Sequence, residues 1–304
     1  MREIYYITKR NCQVFFRDKA AVFFSILSML IVLGLTVIFL GSMNSRSVVN
    51  VLAEYGGVRD TAKDEKNAEY LIQLWTLAGI LVVNSVTVTL TVMGNMVQDE
   101  TRKRIMAFYV TPVNRIKLTL GYIFSAWLVG IIMCVLTLFA GELYFLIKGN
   151  DLLSVVHLLK LFGMICANTF TFSALGYFMA LFIHSDSAWS GILTVIGTLV
   201  GFVGGIYLPL GSLSDTVQTV LKCLPVLHGA SMMRQISMET AIQDTFAGLP
   251  EQVLEVFQNE MGITVYRGVH CFTVTEQLAI LAVYAIIAIV LAALINKKRR
   301  LKDR

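Results

Sequence analysis

The sequence predicts an all-α integral membrane protein with six transmembrane helices, and three observations lead to this fold class. The 304-residue chain is 56 % hydrophobic and only 15 % charged, whereas a soluble domain carries about 25 % charged residues. Its apolar residues form six runs, and roughly 20 such residues cross a bilayer as a helix. Its basic residues cluster beside those runs, a pattern that fits membrane topology and argues against a nucleic-acid partner.

The six spans are predicted at residues 21–41, 71–96, 118–146, 161–183, 187–207 and 276–295. A short polar turn separates the fourth from the fifth, so these two form a tight hairpin. The first span follows basic residues, as a signal peptide would. However, residues 20–43 carry no charge and end without a small-residue cleavage site, so we expect a retained helix.

The distribution of Lys and Arg predicts that both termini are cytoplasmic. Cytoplasmic loops carry an excess of these residues. Sixteen of the 25 lie before the first span, between the second and third, or after the sixth, and all fall on one side if the N-terminus is inside. We therefore expect a multi-pass protein of the cell membrane, one transmembrane domain over residues 1–304, with outer segments at 42–70 and 208–275.

Residues 1–19 are predicted to form an amphipathic helix. On a helical wheel Ile4, Ile7, Val14 and Phe15 fall together, opposite Arg2, Lys9, Arg10, Gln13 and Arg17. This arrangement is typical of a helix that lies in the plane of the membrane interface, with its basic residues toward lipid phosphates or a partner. A plain topogenic charge cluster, which needs no helix, is the alternative.

The loop at residues 98–116 is unusually structured for a short connection between spans. Its charged and aromatic residues, with one proline, are Asp99, Glu100, Lys103, Arg104, Phe108, Tyr109 and Pro112. Each acid precedes a base by four positions, which is the favourable order on a helix. Exposed aromatic residues usually dock somewhere, and proline ends a helix. We expect a short cytoplasmic helix and a hard turn; an ordinary charged loop is the alternative.

Polar and small residues mark faces of the predicted spans. In the second span Asn84, Thr87, Thr91 and Asn95 share one face, which either lines a cavity or makes interhelical hydrogen bonds. In the fifth, Gly197, Gly201 and Gly204 share a face that allows close approach of a helix or a second subunit. Glu142 in the third span either binds a cation or substrate, or simply reaches the interface.

Motifs for catalysis and cofactor binding are missing from the sequence. There is no G-x-x-x-x-G-K-[ST] phosphate loop and no nucleophile–base arrangement. Nothing makes a metal spacing with His228. The five cysteines (Cys12, Cys134, Cys166, Cys223, Cys271) are scattered, which predicts packing residues rather than a disulfide or zinc framework. We expect neither a cofactor bound by this chain nor enzymatic activity in the chain by itself.

Three stretches, in the right order, resemble type-2 ABC exporter permeases. The first is Phe16-Arg17-Asp18-Lys19 before the first span. The second runs from Asp99 through Phe108-Tyr109-Val110-Thr111-Pro112 to Gly121-Tyr122, although many members carry Gly-Thr in place of Lys103-Arg104. The third is Gly205-Ile206-Tyr207-Leu208-Pro209 followed by Gln218, Leu221, Pro225, His228 and Arg234.

The resemblance implies a dimer of six-helix subunits, as a homodimer or a heterodimer. Each subunit would dock a separate ATP-binding cassette ATPase, which holds the ATP and Mg²⁺, through the in-plane helix (Lys9, Arg10, Phe15, Arg17) and the coupling helix in loop 98–116. The segment with Pro209, Pro225 and His228 would be a re-entrant helical hairpin that enters from outside. The function implied is ATP-driven export by alternating access; an ATP-independent carrier, a channel, or a sensor or scaffold is the alternative.

Overall fold

The computed structural model describes residues 2–35, 41–57, 59–105, 114–205 and 207–298. Within these ranges the chain is almost wholly helical, so the predicted all-α class is confirmed. Twelve α-helices occur there: α1 (Arg2–Arg17), α2 (Lys19–Leu35), α3 (Gly41–Tyr55), α4 (Thr61–Thr101), α5 (Arg115–Ile147), α6 (Val155–Ala180), α7 (Asp186–Val203), α8 (Asp215–Leu221), α9 (Pro225–Ser237), α10 (Glu239–Thr245), α11 (Glu251–Glu260) and α12 (Val274–Lys298).

Five of these helices are long and apolar enough to cross a membrane: α4, α5, α6, α7 and α12. They correspond to the predicted second to sixth spans. The predicted first span, 21–41, begins as α2, and its residues 36–40 lie outside the described part of the chain. The count of six therefore stays a prediction.

Helix α4 is longer than its predicted span because it begins ten residues earlier. The Asp60 carboxylate caps it by accepting the backbone N–H groups of Ala62 and Lys63. At 1.5 Å per residue its 41 residues extend about 60 Å, roughly twice the thickness of a bilayer core. The charged residues near Lys63 thus belong to a helix that continues beyond the apolar zone, not to a loop.

The core consists of two apolar clusters stacked along α4, and we name them outer and inner after the sides on which the predicted topology places them. The outer cluster surrounds Trp75 and includes residues of α5, α6, α9 and α11. The inner cluster surrounds Met93 and Tyr122, and it includes Phe15 of α1. Because α4 contacts the spans α5, α6 and α7 as well as the short helices α9 and α10, it is the axis on which both ends of the molecule are built.

The outer segment 208–275 folds into short elements packed on the spans. A 3-10 turn (Leu210–Ser212), helices α8 to α11 and one antiparallel hairpin of β1 (Tyr266–Arg267) and β2 (His270–Cys271) make it up. Pro250 precedes α11 directly, as a helix-starting proline would. Helix α8 is followed after a short turn by α9, which packs among α4, α6 and α12; the predicted re-entrant hairpin stays a prediction. The β-hairpin was not expected from the sequence.

Candidate functional site

The inner end of α4 is joined to α1 and α5 through one buried carboxylate. Asp99 is only 2 % exposed. Arg10 of α1 donates to both of its oxygens, with an Nη2–Oδ1 distance of 2.8 Å, and the Tyr122 hydroxyl of α5 donates to Oδ2 at 2.7 Å. The hydrogen bond to Asp99 raises the pKa of the Arg10 guanidinium, so Arg10 stays charged. We call Arg10, Asp99 and Tyr122 the inner junction.

Helix α1 lies along the first turns of α5. Ile7 packs directly on Gly121, where an added Cβ would be 2.5 Å from Ile7 Cγ2. The Thr8 hydroxyl donates to the Gly121 carbonyl at 3.3 Å, and the Asn11 amide donates to Ser125 Oγ at 3.4 Å. Residue numbers increase together along both helices, from Ile7 on Gly121 to Asn11 on Ser125. Helix α1 therefore runs in the same direction as α5.

The amphipathic prediction for α1 is confirmed in part. Phe15 is buried and Lys9 and Arg17 are exposed, as the helical wheel indicates. However, Arg10 does not stay on the outward charged face, because its long side chain reaches back to the carboxylate of Asp99. The polar residues Thr8 and Asn11 are buried instead, and no apolar periodicity could have indicated that.

Glu100 joins the same end of α4 to the turn between α6 and α7. Its Oε1 lies 3.3 Å from His184 Nδ1. The neighbouring Thr101 hydroxyl donates to the His184 carbonyl at 3.4 Å. The end of α4 therefore contacts three other parts of the molecule within three consecutive residues, Asp99 to Thr101.

The predicted pairs Asp99–Lys103 and Glu100–Arg104 are wrong. Helix α4 ends at Thr101, and Lys103 has a φ of 56°, so neither base lies one helical turn from its acid. Both carboxylates have other partners. Lys103 and Arg104 are instead exposed beside the junction. Phe108, Tyr109 and Pro112, with the rest of the predicted coupling helix, lie outside the described residues.

A second polar cluster, not predicted, fixes the inner end of α12. The Asn296 amide donates to the Thr119 hydroxyl at 3.1 Å and to the Tyr177 hydroxyl at 3.0 Å. Arg115 donates to the Asn296 carbonyl at 2.7 Å. Asn296 directly precedes the basic tail, and only its position at the end of an apolar run could have drawn attention to it.

The four residues of the polar face of α4 have two kinds of environment: the asparagines form hydrogen bonds with other helices, and among the described residues the threonines do not. The Asn84 amide donates to Thr137 of α5 at 2.8 Å, and the Asn95 amide approaches the Asn11 carbonyl of α1 at 3.4 Å. Both contacts favour the interhelical alternative. Within the part of the chain that the structure describes, Thr87 and Thr91 bond only to carbonyls of α4 itself, and both are half-buried. These two threonines remain where a cavity could reach α4.

The Glu142 side chain forms a hydrogen bond with the loop that follows its own helix, α5. Its Oε2 accepts the backbone N–H of Leu153, in the loop between α5 and α6, at 3.1 Å. This contact favours the alternative in which Glu142 reaches the interface.

The three glycines of the fifth span have different surroundings. An added Cβ at Gly201 would be 2.3 Å from the Tyr207 ring, and one at Gly204 would be 3.0 Å from the Val200 carbonyl oxygen. Gly197 faces open space in the described structure. Only Gly197 is therefore free for contact with a second chain.

The turn between α8 and α9 is held by His228. His228 is fully buried, and its Nε2 lies 2.9 Å from the Lys222 carbonyl, to which it must donate. Burial lowers the pKa of His228, which keeps the ring neutral. Pro225 is the first residue of α9, and Pro209 precedes the 3-10 turn.

Arg234 of α9 is a buried cation bound by backbone carbonyls. It is 1 % exposed and donates to the carbonyls of Gly204 and Gly205, at 2.7 and 3.0 Å, after α7. It also approaches those of Met261 and Gly262 after α11. Its guanidinium lies 4.5 Å from the centre of the Trp75 ring. Burial lowers the pKa of Arg234 to about 9, so the group is still charged at neutral pH.

Metal and disulfide chemistry find no support in the described residues. No group of three His, Cys, Asp or Glu side chains there could hold a metal ion. The five cysteines are all free thiols.

One comparison with known proteins gives a family. The family model described as "ABC-2 family transporter protein" matches residues 52–294, which include all five described spans except the last residues of α12. No curated protein matches the chain.

Proposed function

The chain belongs to the ABC-2 transporter family, and from this premise we propose that it is the permease subunit of an ATP-driven exporter. In this proposal it moves a substrate out of the cytoplasm by alternating access. A separate ATP-binding cassette ATPase binds ATP and Mg²⁺ and supplies the energy. The observation that carries the proposal is the family match, which spans most of the chain.

The inner junction is the part through which we propose that the ATPase acts. Arg10, Asp99 and Tyr122 join α1 to two spans at the end of the molecule where the basic residues lie. A force on α1 or on the loop after α4 would reach both spans through these contacts. The exposed bases Lys9, Lys103 and Arg104 surround the junction and would contact an acidic surface of the ATPase.

A second permease copy would complete the transport path. Helix α7 contacts α4 with one side, while Val195 and Leu199 on its other side are more than half exposed. In the proposed dimer, identical or not, this side and Gly197 face the other copy or lipid. Thr87 and Thr91 would line the path between the copies. The hairpin of α8 and α9 would enter the membrane from outside, because α9 is surrounded by α4, α6 and α12.

Purification of the chain with its partners tests the proposal. We would isolate the tagged protein from its own membrane in mild detergent, identify its partners by mass spectrometry and measure Mg²⁺-dependent ATP hydrolysis. We expect an ATP-binding cassette ATPase in amounts equal to the permease. Absence of any ATPase, with transport that persists in ATP-depleted vesicles, would contradict the proposal and favour an ATP-independent carrier or channel.

A further inference from the structure

A polar cleft opens at the outer end of α4, opposite the inner junction. Its walls come from three elements: Lys63, Lys66 and Tyr70 on α4, Asp151 in the loop between α5 and α6, and Asp244 and Thr245 on α10. Its cavity volume is about 310 Å³, which is at the lower limit of the usual size of small-molecule sites, about 300–1,000 Å³. We call it the outer cleft.

The three walls are held in place by hydrogen bonds between the elements that form them. Arg59 binds the Asp64 carboxylate with two nitrogens, at 2.8 and 2.9 Å, and donates to the carbonyls of Thr245 and Ala247 at the end of α10. The Tyr70 hydroxyl donates to the Asp151 carbonyl at 2.7 Å. The cleft is therefore preorganised, so a ligand would not have to order its walls.

The charged groups in the outer cleft do not neutralise one another. Lys63 and Lys66 stand on one wall, and Asp151 and Asp244 stand on the other two. Among the described residues, none of these four side chains takes part in an ion pair. Because these lysines and aspartates are not paired with one another, they can pair with the opposite charges of a ligand that carries both a negative and a positive group.

We propose that the outer cleft binds a small zwitterion, with a carboxylate near Lys63 and Lys66 and an ammonium group near Asp151 and Asp244. A short peptide with free ends has this chemistry. Lysine provides three donors and no acceptor, while an ionised aspartate only accepts, so the two ends of such a ligand are told apart by the walls. This site lies apart from the proposed ATPase contact and does not depend on it.

Calorimetric titration of the purified full-length chain with trialanine tests the site. The matched control ligand is N-acetyl-trialaninamide, which has the same residues without end charges. We expect saturable binding of trialanine and none of the capped peptide. Lys63→Gln and Asp244→Asn should each weaken binding roughly 2- to 5-fold, as expected for loss of one exposed charge contact.

The control variant is Asp215→Asn, because Asp215 is an exposed acid on α8 that does not line the cleft. It should bind trialanine as the unmodified chain does. Equal binding of the capped peptide, unchanged binding in both cleft variants, or no binding of trialanine at all would each overturn the proposal. None of these results would bear on the ATPase, whose association is measured separately.

Discussion

Two arginines hold the two ends of this molecule together in different ways. Arg10, at the inner junction, keeps a third of its side chain exposed and is paired with the Asp99 carboxylate. Arg234, in the outer half, is fully buried, and among the described residues it binds only carbonyls and the face of Trp75. The inner contact is a charge pair, and the outer contact caps the ends of two helices at once.

The difference between these two arginine contacts indicates how each end of the molecule responds to a force. Helix C-termini carry partial negative charge, so a single cation can satisfy two of them where no carboxylate is present. Such a contact cannot be released without leaving a buried charge and several unpaired carbonyls. The inner pair borders exposed bases and solvent, where water can replace a lost partner. We therefore expect the outer end to be the rigid one and the inner end to be the one that moves.

The largest effect should come from removing the outer contact. Arg234→Met leaves the carbonyls after α7 and α11 without a donor, and we expect a loss of about 3–5 kcal/mol in the free energy of unfolding. Thermal unfolding in detergent measures it, with the exposed Arg267→Met as the control. If both variants unfold at the same temperature, the outer contact is not the rigid element.

Breaking the inner junction should cost less. Asp99→Asn removes the charge that Arg10 faces, and we expect a loss of about 2 kcal/mol, since Arg10 can turn toward solvent. A double-mutant cycle with Arg10→Met measures the interaction itself, expected at about 1–3 kcal/mol. Strict additivity of the two single losses would mean that the pair does not join α1 to α4.

The packing of α1 on α5 gives the next effect. Gly121→Ala places a methyl group against Ile7, so α1 must shift, at a cost of about 1–3 kcal/mol. Gly163→Ala in α6 is the matched control, because an added Cβ there meets nothing within 4 Å. Unfolding of the two variants is compared, and Ile7→Ala should rescue Gly121→Ala. If Ile7→Ala does not restore the stability of Gly121→Ala, the loss does not come from contact between Ile7 and the added methyl group.

The smallest effect concerns the backbone after α4. Lys103 has a φ of 56°, a left-handed conformation that glycine adopts freely and β-branched residues resist. Lys103→Gly should leave the free energy of unfolding within about 1 kcal/mol of the unmodified chain. Lys103→Val should lower it by about 1–2 kcal/mol. If chemical denaturation gives Lys103→Val and Lys103→Gly the same free energy of unfolding, the left-handed turn at position 103 is ruled out.

The sequence predicted the spans well because their signal is local. Twenty apolar residues without charge indicate a membrane helix wherever they pack, and α5 and α12 follow that rule. It also singled out Asp99, His228 and Arg234 through a resemblance to a family, and Glu100 through its spacing from Arg104.

The contact partners of these residues were harder to predict than the positions of the helices. The predicted pairing of Asp99 with Lys103 assumed that α4 continues, and nothing local shows that a buried carboxylate finds Arg10, which is 89 positions away. The role of Arg234 depends on carbonyls from two turns that are distant in sequence. The outer cleft exists only because three such segments meet. Contacts of this kind have no periodicity to reveal them.

One measurement tests the central claim most directly, namely that the inner end receives the ATPase. A photocrosslinking amino acid is placed at position 103, beside the inner junction, or at position 269, the exposed tip of the outer β-hairpin. After irradiation of intact membranes, we expect a crosslink to an ATP-binding cassette ATPase from position 103 and none from position 269. A crosslink to the ATPase from position 269, or none from position 103 while the ATPase still co-purifies, would contradict the account.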